Sequence, residues 1–164
     1  DYLIDSWSIV NKKHPNWVLN IFGEGTEHKA LLMHIDKLGL RDCVTLCGST
    51  EDIVSKYIDS SLFVLSSREE AFGLVIIEAE ACGLPIVAFD CPSGPAELVE
   101  DKYNGFMVET GNVDQLADRI CDLIEDQSMR KTFGARSIEI SKKFGLQKVM
   151  AKWMSLYTNL CRSL

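Results

Sequence analysis

Apolar residues recur at helical spacing near the start of the chain, at Leu3, Ile4, Trp7, Ile9 and Val10. The pattern stops at His14-Pro15, a helix-ending pair. Trp17–Phe22 is a short unbroken apolar run that reads as a strand and closes on Gly23-Glu24-Gly25. Leu31, Leu32, Ile35 and Leu38 form a second helical stripe, stopped by Gly39. Val44–Cys47 predicts a second strand, closed by Gly48. Ser49 and Asp52 have capping-box-like spacing ahead of a short helix through Tyr57. Leu62–Leu65 predicts a third strand, followed by a polar loop and an apolar helix from Gly73 to Cys82. Pro85–Phe89 is a fourth strand, Cys91–Pro95 a rigid loop, and Ala96–Glu100 one helical turn. Gly105–Val108 is the fifth strand. After Gly111 only helices are expected, over Val113–Glu125, Met129–Lys142 and Leu146–Leu160.

Strands alternate with helices, and they are continuous apolar runs rather than alternating ones. A parallel sheet covered on both faces requires that pattern. The expected fold class is therefore α/β, a Rossmann-like doubly wound parallel sheet of five or more strands with C-terminal helices. In such sheets ligands sit beyond the carboxyl ends of the strands. The loops after Phe22, Cys47, Leu65 and Phe89 should line one edge.

The 164 residues make one domain, 1–164, with 46% hydrophobic and 25% charged residues, which argues against disorder. Apolar runs such as Leu74–Ile77 are far too short to span a bilayer. A net charge of −7 gives no broad footprint for nucleic acid. The six cysteines, Cys43, Cys47, Cys82, Cys91, Cys121 and Cys161, form no CxxC pair and lack histidines at zinc spacing. They are expected to be reduced, which fits the cytoplasm. The chain opens at Asp1, directly into a helical pattern with no strand before it, so it is expected to be a piece of a longer protein.

The strongest local signal runs from Ser66 to Ala79, between a buried strand and a helix start. Phe72, Gly73 and Leu74 would offer backbone N–H groups at the positive end of that helix, and Gly73 would allow a close approach. An ordinary strand–helix turn with a glycine would read the same way. Glu78 lies on a helix that is apolar nearly all round, so it either faces a cleft and binds hydroxyls or is a paired structural carboxylate. Glu80, about 200° further round the helix, is expected on the solvent side. Glu70 can reach over the helix start as a ligand or as a capping carboxylate. Gly23-Glu24-Gly25 is either a ligand loop or a tight turn. His28 stands where a dinucleotide fingerprint would need glycine or alanine. Cys91 has no histidine near it in sequence and is a poor candidate nucleophile.

Ser66 to Pro85 reads SSREEAFGLVIIEAEACGLP. This resembles the signature of the retaining glycosyltransferases of family 4, in which two glutamates stand with seven residues between them, as Glu70 and Glu78 do. The Phe-Gly-Leu and Glu-Ala-x-Ala-x-Gly-x-Pro elements match as well. Leu19–Gly25, Val44–Gly48, Gly105–Val108 and the helical tail extend the similarity over nearly the whole chain. The loop FDCPSGPAELV resembles members that build bacterial capsule, exopolysaccharide or lipopolysaccharide chains.

The resemblance implies one half of a GT-B fold, the C-terminal domain that binds a nucleotide-sugar donor. The N-terminal acceptor domain, the first strand and its Arg- and Lys-bearing loop would be absent. This piece would be inactive alone. The resemblance also assigns roles. Glu78 would hold the ribose hydroxyls, and Glu70 would contact the donor sugar near the reacting carbon. Phe72, Gly73 and Leu74 would present amides to sugar and phosphate oxygens. Leu46, Cys47 and Gly48 would border the base, and Gly23 and Gly25 the pocket floor. No metal or other cofactor is expected, because a helix N-terminus and basic side chains can carry the leaving diphosphate. The implied reaction moves a hexose or N-acetylhexosamine, with retention, from a nucleotide-sugar (a UDP-sugar foremost, a GDP-sugar next) to a glycan or lipid-linked acceptor. The implied location is the cytoplasm, at the inner membrane face if the acceptor is lipid-linked. Ala71 departs from the glycine or proline of many members and alters the sugar pocket. The rival readings are a GT-B nucleotide-sugar epimerase and a non-catalytic Rossmann-like nucleotide-binding or interaction module.

Overall fold

A computed structural model describes residues 1–162. The elements run α1 (Tyr2–Lys13), β1 (Leu19–Phe22), α2 (His28–Lys37), β2 (Val44–Gly48), α3 (Ile53–Ile58) and β3 (Phe63–Leu65). They continue through α4 (Leu74–Ala81), β4 (Ile86–Phe89), α5 (Pro95–Leu98) and β5 (Gly105–Val108). Three long helices close the chain: α6 (Val113–Glu125), α7 (Gln127–Ser141) and, after a 3-10 turn at Lys142–Phe144, α8 (Leu146–Arg162). All pairings between these strands are parallel.

β4 is the sheet's centre. All four of its residues are buried, with Val87 and Phe89 facing one helical layer and Ile86 and Ala88 the other. The first layer contains α1 and α6, whose Ile4, Trp7, Val10, Leu116 and Ile120 pack together with Ile35 of α2. The second contains Tyr57 of α3 with Ile76 and Ala79 of α4. Alternation along a strand sends successive side chains to opposite faces, so a run with no polar residue needs a cover on each side.

The five strands do not form one sheet. β1 pairs only with β2, while β3, β4 and β5 form a separate group in that order. β1 and β3 instead line a common cavity of about 720 Å³. Their apolar residues are correspondingly half-buried, in contrast to β4.

Three local expectations are corrected. Ser49 is no part of a cap: Asp52 itself caps α3, its carboxylate accepting from the Ser55 amide at 3.1 Å, while the Ser49 hydroxyl donates to Glu24. The second correction concerns α4, which is not buried all round. Leu74 and Val75 are exposed where the helix faces the edge and the cavity. Glu80, expected in solvent, is fully buried instead, where Asn104 Nδ2 donates to it at 2.7 Å.

Candidate functional site

Within each group the strands are parallel and end at one edge, where the loops that follow gather. Gly23, at φ 134°, donates its amide to the Gly48 carbonyl at 2.8 Å. The Ser49 hydroxyl donates to Glu24 at 2.9 Å, so the loops after β1 and β2 are tied together. Gly25 has open space around it. Cys47 and Gly48 stand in the same place, whereas the Leu46 side chain packs against the core.

The β3–α4 loop is built around Gly73, which caps α4 in the left-handed region at φ 90°. No side chain caps this helix, so its first amides face the edge without a side-chain acceptor. Phe72 is fixed by an edge-on contact with Phe144, at 5.8 Å between ring centres. The loop after β4 presses on the same turn, with Gly94 directly against the Phe72 carbonyl. The Glu70 carboxylate accepts from the neighbouring Ala71 amide at 3.2 Å, ahead of α4 and not as a cap of it, and its stem lies near Gly73. Cys91 is buried and burial raises its thiol pKa, which disfavours the thiolate that a nucleophile needs.

Glu78 lies one turn into α4, on its exposed side, and borders the cavity with Phe22, Ser66, Ser67 and Val75. The Tyr57 hydroxyl donates to Glu78 Oε2 at 3.3 Å. Desolvation, reinforced by the Glu78 charge, pushes the Tyr57 phenol up to about 12, so it remains a donor at neutral pH. The sequence pattern shows Tyr57 only as the end of an apolar helix, and its contact with Glu78 depends on how α3 lies beside α4. Ser66 and Ser67, read as loop, also line the cavity.

The edge is acidic. Its loops carry Glu24, Glu27, Glu69, Glu70 and Asp90, and their one basic residue is Arg68. Arg68 is already engaged, with Asp1 at 2.5 Å and over the Tyr2 ring at 4.5 Å. A polyanion at this edge would meet the amides of α4 but no free guanidinium from these loops.

Residues 1–139 match the family described as Glycosyl transferases group 1. The chain belongs to that family. It is 36% identical over 156 residues to a glycosyltransferase of Haemophilus influenzae, covering 95% of this chain and 44% of the relative. It is 32% identical to the poly(ribitol-phosphate) alpha-N-acetylglucosaminyltransferase of Staphylococcus aureus, over 97% of this chain and 32% of that enzyme. Among solved structures, a mutant of S. aureus TarM with fondaparinux, alpha-GlcNAc-glycerol and UDP superposes with a TM-score of 0.91, at 32% identity over 96% of this chain and 32% of that one. Anabaena HepE with UDP superposes at 0.89, with 29% identity over 96% of this chain and 44% of that one. The chain thus spans less than half the length of these relatives. Its fold is a Rossmann-like half of the GT-B architecture of these group 1 transferases.

Proposed function

We propose that this chain is the nucleotide-sugar-binding half of a retaining glycosyltransferase. In this reading it takes a UDP-sugar and passes a hexose or N-acetylhexosamine to a glycan or lipid-linked acceptor in bacterial polysaccharide synthesis. The observation that carries the reading is the placement of Glu70, the uncapped start of α4 and Glu78 on one continuous loop and helix, at the edge where the strands end. Relatives solved with UDP share this fold over nearly the whole chain.

Each group has a chemical task. The amides of Phe72, Gly73 and Leu74 face oxygens of the diphosphate, whose negative charge grows as the sugar leaves. Glu78, held by Tyr57, accepts from the ribose hydroxyls, and Glu70 accepts from hydroxyls of the sugar. Cys47 and Gly48 border the base, and Gly23 and Gly25 floor the pocket. The bond from the anomeric carbon to the diphosphate oxygen breaks, and the acceptor oxygen replaces it on the same face. The acceptor's proton leaves with the diphosphate. No metal is needed where basic groups and the helix end carry the charge. Those basic groups must come from outside this edge, because Arg68 is occupied. The acceptor is held by a second domain of the same protein, which works in the cytoplasm and at the inner membrane face if its acceptor is lipid-linked.

The test is calorimetric titration of the chain and of the full-length protein with UDP, GDP and UDP-sugars. UDP is expected to bind in preference to GDP, weakly to the chain and more tightly to the whole protein. Glu78→Gln should weaken UDP about tenfold or more, the worth of one charge-assisted hydrogen bond. Binding by the full-length protein that ignores Glu78→Gln would overturn the assignment of Glu78, and no nucleotide binding by that protein would overturn the donor reading.

A further inference from the structure

The two ends of α4 are joined by a path that does not run along the helix. At its first turn, Leu98 Cδ1 lies 3.5 Å from where a Cβ on Gly73 would stand, and Gly94 meets the Phe72 carbonyl. Gly94 caps the short α5 and Leu98 ends it, so α5 rests on the Phe72–Gly73 turn at both of its ends. At the last turn of α4, Glu80 is fully buried and accepts from Asn104 Nδ2 at 2.7 Å. The same Nδ2 donates to the Leu98 carbonyl at 3.3 Å, and Asn104 Oδ1 accepts from the Glu100 amide at 2.8 Å. Asn104 thereby links Glu80 to the end of α5. The turn it spans holds Lys102 at φ 62°, a left-handed backbone that persists only where the surroundings fix it.

We propose that Glu80 is a positioning residue for the nucleotide turn: through Asn104 it fixes Leu98 and α5, and with them the Phe72–Leu74 amides, in the arrangement that takes the diphosphate. The inference rests on the reading of that turn as the nucleotide site. The link holds only while Glu80 is uncharged. Its Oε2 has no hydrogen-bond partner, so an ionised carboxylate would carry charge on an oxygen that nothing solvates. Asn104 cannot supply more, because both of its amide groups are already engaged. From the other packed elements, Ser137 of α7 spends its hydroxyl on the Asn104 carbonyl, and α7 closes over the end of α4 with Gly134 against the Gly83 carbonyl. Lys143 of the 3-10 turn supplies the one opposite charge that acts on the carboxylate, and its pull is smaller than the cost of burial. Ionisation therefore favours a state in which Glu80 leaves Asn104 for water. Leu98 then loses its tether, and α5 no longer presses on the Phe72–Gly73 turn. The Asn104 main chain stays in place, since its carbonyl also accepts from the Ile86 amide.

Hydrogen–deuterium exchange without nucleotide and UDP titration test the inference on the full-length protein at pH 7 and pH 9, comparing the parent with Glu80→Gln and Glu80→Ala. Gln keeps the acceptor for Asn104 and cannot ionise, whereas Ala removes the link at every pH. Burial raises the Glu80 pKa to about 8, so at pH 9 the ionised form outnumbers the protonated one about tenfold. At pH 9 the amides of Phe72–Leu74 and Leu98–Asn104 should exchange about tenfold faster in the parent than in Glu80→Gln, while those of β1 and β2 stay equal. At pH 7 the two proteins should match. UDP affinity should fall about tenfold between pH 7 and pH 9 in the parent relative to Glu80→Gln, because only the linked fraction binds. The ratio to Glu80→Gln cancels the titration of UDP and of every other group. Glu80→Ala should behave at both pH values as the parent does at pH 9. A Glu80 that serves stability alone would change unfolding and leave these ratios at one, and an exchange ratio of one would overturn the inference. So would UDP affinity that keeps the same ratio at both pH values, or Glu80→Ala that binds UDP as well as Glu80→Gln. A pH-dependent exchange ratio with no UDP binding at either pH would overturn the donor reading and leave the link between Glu80 and the turn standing.

Discussion

Glu80 is a carboxylate with no access to water, one oxygen bonded to Asn104 and the other without a hydrogen-bond partner. Desolvation pushes its pKa up to about 8, against the smaller opposing pulls of Asn104 and Lys143. The folded protein therefore holds this proton more tightly than the unfolded chain does. Glu80's contribution to stability is fully present below its unfolded pKa, near 4.5, and is lost as pH rises to about 8. Glu80→Gln keeps the shape and the acceptor for Asn104 but cannot ionise. Urea unfolding at pH 5 and pH 8 should show the parent losing stability across that interval, by an amount on the order of a few kcal/mol. The variant should lose less, so its stability should exceed the parent's at pH 8. An equal slope in both proteins would show that Glu80 is ionised in the folded state.

Elements were legible where their ends carry chemistry. Pro15, Gly39, Gly48 and Gly111 mark boundaries that the structure keeps within a residue or two, and β5 and α6 coincide with their apolar patterns. The two faces of α4 were not legible: its residues are apolar nearly all round, so no polar stripe shows which side α7 covers. The spacing separates Glu78 from Glu80 but does not show that Glu80 is the buried one. The contact between loops was equally hidden. Gly94, at φ 87°, meets the backbone of Phe72, and a Cβ there would overlap the Phe72 carbonyl. Gly94→Ala combines a strained backbone with that clash, so a loss of about 2–4 kcal/mol is expected by denaturant unfolding. The displaced Phe72–Gly73 turn should also weaken UDP binding, whereas Gly25→Ala, which meets no atom within 4 Å, should leave stability nearly unchanged. Equal effects of the two substitutions would show that the Gly94–Phe72 contact does not hold the turn.

At the scale of the molecule, strand content and parallel direction were readable because a covered sheet demands unbroken apolar runs. The break between β1 and β3 was not, because a pattern along one chain names the strands and not their neighbours. The tail presents a related asymmetry. α8 is amphipathic by sequence, yet none of its residues is buried, and Leu146, Val149, Met150, Trp153 and Tyr157 are exposed. Its neighbour Phe144 does pack, against Phe72. Stability and solubility should therefore separate at Gly145. Ending the chain there removes almost no packed surface, so the thermal midpoint should move by less than ~2 °C, no more than the shift that a loss of about 1 kcal/mol brings in a domain of this size. It also removes an exposed apolar stripe of the kind that drives association, so light scattering should show less self-association at equal concentration. A fall in midpoint beyond ~5 °C would mean that α8 packs on the domain in solution, and its stripe would then be core rather than exposed surface.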